Sequence, residues 1–292
     1  MAGTLAFTKM QGCGNDYVYV NGFTETVDEP SALAGRVSDR HFGIGSDGLV
    51  LILPSDAADV RMRMFNPDGS EAQMCGNAVR CVARYAYERG LVQKTEVAVE
   101  TRAGLRLVRL HLDAGIVTGA TVDMGLPELE PAKIPLNLSL CGGGDLKAPY
   151  VDRPLDVCGA SWRVTCASMG NPHAVVFLSD GGDRLAELDL PAIGPSFEHH
   201  PLFPERTNTE FVSVASRSAV AMRVWERGTG ETLACGTGAC ATAVACVLNG
   251  FTDRLVDVRL KGGTLRIEWS AENEHVFMTG PCEPVFDGVL FL

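Results

Sequence analysis

Cys75 and Cys235 stand in matched settings. Each is followed by a glycine and then by residues suited to a helix: MCGNAVRCVARY for the first, ACGTGACATAVA for the second. A thiol at a helix start lies beside N–H groups that have no partner within the helix, and the macrodipole adds partial positive charge there. That field favours thiolate and welcomes a carboxylate, while the glycine lets backbone N–H groups approach a ligand without a Cβ in the way. Two such units facing one cleft suit inversion at a carbon bearing a carboxylate. One thiolate takes the α-proton from one face, and the opposing thiol delivers a proton to the other. The helix starts hold the carboxylate and stabilise the charge that develops on it.

The α-proton of an amino acid is weakly acidic, and pyridoxal phosphate is the usual electron sink. Lys9, Lys94, Lys133, Lys147 and Lys261 are the lysines of the chain, and none lies in a cysteine motif. The reading is a reaction without a cofactor. No metal is expected either: there is no C-x-x-C pair, and the spacings Cys75 to Cys81 and Cys235 to Cys240 fit no common zinc pattern. The remaining thiols read as buried small hydrophobes. GIGSDG at 43–48 is glycine-rich, but no Gly-Lys-Ser/Thr follows, so it is not a nucleotide loop.

The elements that position the thiols are duplicated. MRMFNPDGSEAQMCGNAVRCVA from Met62 lies without gaps over MRVWERGTGETLACGTGACATA from Met222. Arg63 matches Arg223, Glu71 matches Glu231, Cys75 matches Cys235, and Gly90 matches Gly250. A weaker echo, GNDYVYV from Gly14 and GNPHAVVF from Gly170, precedes each block at a slightly different offset. The copies join near the Pro- and acid-rich stretch at 122–131. Helices are expected over 77–89 and 238–249, with Gly90 and Gly250 as C-terminal caps. The second is almost wholly small and apolar, as befits a helix wrapped by sheet. Strands are expected at VYVNGF, LVLIL, VRMRMF, EVAVE and LRLVRLHL, then at AVVFL, EFVSVA, VAMRVW, VDVRL, TLRIEW and HVFMT. The fold expected is α+β, in two pseudo-symmetric halves, each a curled, mostly antiparallel sheet around a central helix. The N-terminal half, 1–122, carries Cys75 and is completed by the last strand, 283–292; the C-terminal half, 123–282, carries Cys235. The segment 141–150 reads as a surface loop.

At 292 residues the chain is long for a single core. A formal net charge of -11 speaks against nucleic acid or a polybasic membrane patch. No apolar stretch approaches the ~20 residues of a membrane span. The N-terminus lacks a basic region followed by an apolar one, so a cytoplasmic protein is expected.

FNPDGSEAQMCGNAVR and ERGTGETLACGTGACA closely resemble the two signature segments of the diaminopimelate epimerase family. GCGNDYVYV, RHFGIGSDGLV, GNPHAVVF and FPERTNTEF resemble its other segments in the same order, so the likeness runs from about residue 5 to the C-terminus. The resemblance implies a cytoplasmic, commonly dimeric enzyme that needs no pyridoxal phosphate or metal. Such enzymes interconvert LL- and meso-diaminopimelate on the way to lysine and peptidoglycan. It implies Cys75 and Cys235 as the acid–base pair, with Gly76, Asn77, Gly236 and Thr237 holding the reacting carboxylate. It gives His173 and Glu226 the assistance of the thiols and the reacting amine. Asn15, Asn66, Asn171, Asn208 and Arg227 would bind the substrate, Arg227 and the asparagines at its distal end. Asn66 lies over Glu226 in the duplication, the kind of difference an asymmetric substrate requires. Some members carry Gln where this chain has Gly48, so one substrate contact is missing or supplied elsewhere. Tyr17 replaces a frequent Phe and Ala78 a frequent Gly; both read as mild packing changes. Two other functions fit the thiols: a two-thiol racemase of proline, hydroxyproline or histidine, and a non-catalytic redox protein whose facing thiols form a disulfide.

Overall fold

The computed structural model describes residues 3–142, 147–178 and 183–292. Residues 143–146 of the expected surface loop at 141–150 therefore lie outside the described residues. Strands β1 (Thr4–Gly12) and β2 (Asn15–Asn21) are followed by helix α1 (Pro30–Ser38), then β3 (Leu49–Leu53), β4 (Val60–Phe65) and β5 (Glu71–Ala72). Helix α2 (Gly76–Glu88) leads to β6 (Glu96–Thr101), β7 (Gly104–Asp113) and β8 (Ile116–Asp123). Next come β9 (Arg153–Val157), β10 (Ala160–Ser168), β11 (Pro172–Phe177), α3 (Asp183–Glu187) and α4 (Leu190–Glu198). Strands β12 (Asn208–Ser216), β13 (Ala219–Glu226) and β14 (Gly230–Glu231) precede helix α5 (Gly236–Leu248). The chain ends with β15 (Leu255–Leu260), β16 (Gly263–Trp269), β17 (Val276–Gly280) and β18 (Glu283–Phe291).

Two compact units result, Met1–Asp123 with Thr279–Leu292, and Met124–Met278. In the first, strands pair in the order β18–β1–β2–β3–β4–β6–β7–β8, antiparallel except at β2–β3 and β4–β6. In the second the order is β9–β10–β11–β12–β13–β15–β16, with parallel pairings at β11–β12 and β13–β15. Leu49 pairs with Phe65 as Thr209 pairs with Trp225, the register of the cysteine motifs. Val18 lies beside Leu49 as Ala174 lies beside Thr209, which makes Tyr17 and His173 equivalent positions.

Both cysteines are N-cap residues with extended backbones, φ −135° at Cys75 and −118° at Cys235, so the following glycine takes the first helical position. The helices consequently begin a little earlier than the sequence suggested, and Arg89 and Asn249 close them as caps. Gly90 (φ 70°) and Gly250 (φ 73°) then adopt the left-handed conformation. Their N–H groups donate to Tyr87 O and Val247 O, while those of Leu91 and Phe251 donate to Ala86 O and Cys246 O. This is the Schellman arrangement, and it satisfies carbonyls that the helix end leaves orphaned.

Helix α2 packs against β1, β2, β4, β6, β7 and β8, and α5 against β10, β11, β12, β15 and β16. The small side chains of α5 permit the close approach: Ala239, Ala241, Ala243 and Ala245 are wholly buried. Helix α4 was not legible, because Pro195 inside it argues against a helix. Below β12, Phe197, Phe211 and Trp162 meet edge to face at 5.2–6.1 Å. Such contacts add about 0.5–1.5 kcal/mol per pair beyond burial. They fix one face of β12, and the neighbouring Glu210 therefore points to the other.

Candidate active site

In the first unit Asn15, at the start of β2, meets the start of α2. Cys75 Sγ donates to Asn15 Oδ1 at 3.3 Å, and Asn77 Nδ2 reaches the same oxygen at 3.4 Å. Asn15 Nδ2 is held by Asp47 Oδ2 at 2.8 Å, and it also lies 3.5 Å from the Tyr17 hydroxyl. Asn66 is not drawn into this cluster: it closes the NPDGS turn, donating to Ser70 Oγ at 3.0 Å. No side chain fits at position 48, where φ is +153° and a Cβ would stand 2.2 Å from Phe65 O and 3.0 Å from the Tyr17 ring. Tyr17 fills that space, and its hydroxyl lies beside the Cys75 thiol. It is thus a neighbour of the thiol as well as a buried packing residue.

The second unit builds around Cys235. Its sulfur accepts from Gly238 N at 3.4 Å and lies 3.5 Å from Thr237 Oγ1. Glu226 accepts from the Thr232 hydroxyl and lies beside Cys235. His173, wholly buried, uses both ring nitrogens, Nδ1 with Glu210 Oε1 at 2.7 Å and Nε2 with Asn171 Oδ1 at 3.0 Å. Asn208 bridges Pro172 O, at 2.8 Å, and the backbone N–H of Arg227, at 2.9 Å. Arg227 itself is partly exposed and donates to Glu205 O at 2.9 Å.

Duplicated ion pairs pin the approach to each helix. Arg63 meets Glu71 at 2.8 Å, and Arg223 meets Glu231 at 2.7 Å. The Arg63–Glu71 pair, the more exposed of the two, contributes under about 1 kcal/mol. The consequence of both pairs is geometric: each glutamate is tied down in β5 or β14, just before the cysteine.

Desolvation pushes the Cys75 thiol up, opposed by the N–H groups of Ala78 and Asn77, the Arg80 guanidinium and the Tyr17 hydroxyl. Cys235 is pushed well up, first by burial and then by the carboxylates of Glu226 and Glu210; Thr237 and the Gly238 N–H oppose them. Glu226 is itself raised by burial, against its bond to Thr232 and the influence of Cys235 and His173. Among the described residues, no group of three or more His, Cys, Asp or Glu side chains is placed to hold a metal ion.

Sequence reasoning missed Glu210. It is wholly buried, and among the described residues its Oε2 has no hydrogen-bond partner. A signal existed: a lone carboxylate inside the apolar run TEFVSVA of a central strand. Asp47, which orients Asn15, was overlooked because GIGSDG read as a plain glycine-rich turn.

Known proteins bear on this arrangement in two ways. A hydroxyproline epimerase from Agrobacterium vitis, solved with trans-4-hydroxy-L-proline bound, covers 100% of this chain and 94% of its own with a TM-score of 0.69. The identity is 17%, so that likeness shows the fold. A model of the diaminopimelate epimerase family matches residues 7–130 and 165–285. The diaminopimelate epimerase of Desulfovibrio desulfuricans is 62% identical, covering 100% of both chains. That of Acetivibrio thermocellus is 54% identical over 97% of this chain and 98% of its own. The protein is an isomerase of the epimerase class. Within that class it belongs to the diaminopimelate epimerase family.

Proposed function

We propose that the protein interconverts LL-2,6-diaminopimelate and meso-2,6-diaminopimelate, without a cofactor, as a step toward lysine and peptidoglycan precursors. The observation that carries this reading is the pair of cysteines, each capping a glycine-started helix, each in a different polar setting. One sulfur, as thiolate, forms an S–H bond with the α-proton while the C–H electron pair moves onto the carboxylate as an enediolate. The other sulfur then gives its proton to the opposite face of the carbon, and the two thiols end with their states exchanged. The N–H groups of Gly76, Asn77, Gly236 and Thr237 hold the carboxylate as its charge grows. His173 and Glu226 assist the thiols and anchor the reacting amine. Asn15, Asn66, Asn171, Asn208 and Arg227 hold the rest of the substrate, Arg227 offering its fork to the distal carboxylate.

A cytoplasmic homodimer is part of the reading. Among the described residues no helix is long and apolar enough to cross a membrane. Val285, Val289 and Phe291 of β18 are exposed, an apolar strip that suits a second copy. Light scattering at micromolar concentration would read a single chain if that is wrong.

The first experiment is incubation of the reduced protein with LL-diaminopimelate in D₂O, with no added cofactor, followed by NMR at the α-carbon. Deuterium gain with formation of the meso isomer, abolished in Cys75→Ala and in Cys235→Ala, supports the reading. Exchange with proline, hydroxyproline or histidine alone would keep the mechanism and replace the substrate. Exchange with no amino acid would end it.

A further inference from the structure

The two half-sites differ most in what lies behind each sulfur. Arg80, one turn into α2, is wholly buried. Its guanidinium donates to Pro281 O at 3.1 Å, Gly76 O at 3.2 Å and Asn77 Oδ1 at 2.7 Å. All three acceptors are neutral, and among the described residues no carboxylate lies within ion-pair distance of it. A guanidinium taken from water without an anion is expensive, and the fold has nevertheless made room for this one. A Cβ on Gly12 would stand 3.1 Å from Nη2 of Arg80. The charge is felt by Cys75 at the helix start, Cys13 in the β1–β2 turn, Cys81 on the same helix and Cys282 between β17 and β18.

The duplication supplies the control. Cys240 occupies the position in α5 that Arg80 occupies in α2. Strand β12 puts Glu210 where β3 has Val50, and β11 puts His173 where β2 has Tyr17. The sulfur of the first unit therefore has a buried cation and a phenol behind it. The sulfur of the second has the carboxylates of Glu226 and Glu210, the latter bonded to His173.

We propose that Arg80 is a positioning residue that favours negative charge on the first half-site, so that Cys75 is the first of the two thiols to ionise while Cys235 keeps its proton. The proposal rests on the two-thiol reading above. The groups that bear on Cys75 are Tyr17 and Tyr19 from β2, Asp47 behind Asn15, and Cys81 and Arg80 from its own helix. Of these, Arg80 alone is cationic. A thiolate there draws on the Tyr17 hydroxyl and the N–H groups of the first turn, and it supplies the anion that Arg80 otherwise lacks. Around Cys235, Glu226 from β13 and Glu210 from β12 repel a second negative charge, so the proton stays.

Alkylation of the whole protein with iodoacetamide, from about pH 6 to about pH 10, tests this, with both cysteine peptides quantified by mass spectrometry. In the unsubstituted protein Cys75 is expected to react at lower pH than Cys235. In Arg80→Met the Cys75 midpoint should rise, cutting its labelling at neutral pH about tenfold, while the Cys235 midpoint stays. Arg80→Lys, which keeps the charge, should keep Cys75 ahead of Cys235, and it serves also if Arg80→Met does not fold. An unmoved Cys75 midpoint in Arg80→Met, or Cys235 reacting first in the unsubstituted protein or in Arg80→Lys, would overturn the proposal. A packing role alone would lower Tm and leave both midpoints in place. Deuterium exchange separates the two claims: its absence in the unsubstituted protein sinks the two-thiol reading, whereas the midpoints report on Arg80.

Discussion

Gly238 has no room for a methyl group, because its Cβ would stand 2.6 Å from Glu210 Oε1 and 3.3 Å from Cys235 Sγ. Replacing a helical glycine with alanine ordinarily gains about 1 kcal/mol. Overpacking a rigid interior costs about 1–3 kcal/mol, and here the displaced neighbour is a carboxylate held by His173. The second effect wins: Gly238→Ala should lower the urea midpoint and slow α-proton exchange together. Glu210→Ala should cost more, about 3–5 kcal/mol, since it strips a buried partner from His173. Urea unfolding of Glu210→Ala and Glu210→Gln would show it, with the glutamine variant the milder. The cysteines were legible because their chemistry needs a residue type at a helix start, which is local. Glu210 was not, because a carboxylate becomes a site residue only when a parallel pairing sets it against a distant histidine.

At the scale of the element, α5 is tolerant of nothing larger than what it has. Its alanines pack against five strands, so Ala241→Leu should destabilise by about 1–3 kcal/mol, read as a fall in Tm. The sequence foretold this helix from its unbroken run of small residues, and it foretold the ends from Gly90 and Gly250. It did not foretell α4, where Pro195 misleads and burial of Leu190 and Phe197 decides. Nor did it reveal that Tyr17 would touch Cys75, since only the absence of space at Gly48 directs that ring.

At the scale of the whole molecule, β18 returns from the far end of the chain to pair along β1, from Thr4 with Phe291 to Gln11 with Glu283. Deleting residues 283–292 should leave β1 an open edge and part Phe7 from Phe286, whose rings lie 5.9 Å apart. The truncated protein should aggregate on expression; a soluble, active truncation would show that strand to be dispensable. Buried thiols give the molecule an alkaline limit. Burial pushes Cys81 up to about 12 and Cys282 to about 11, from 9.0. Because the folded state holds these protons more tightly, the stability they contribute is complete below pH 9.0 and lost as pH rises through 11 and 12. Urea midpoints should therefore fall across that range, and less so in Cys81→Ala.

By itself the sequence determined the duplication, the two thiols at their helix starts and the family, because each rests on residue type and spacing along the chain. The tertiary structure decided which polar groups stand behind each sulfur. Arg80 and Cys240 are matched positions in the repeat, as are Val50 and Glu210, yet their charges count only where the sheet brings them to a buried helix start. Electrostatic strength depends on burial and distance, and a linear pattern carries neither.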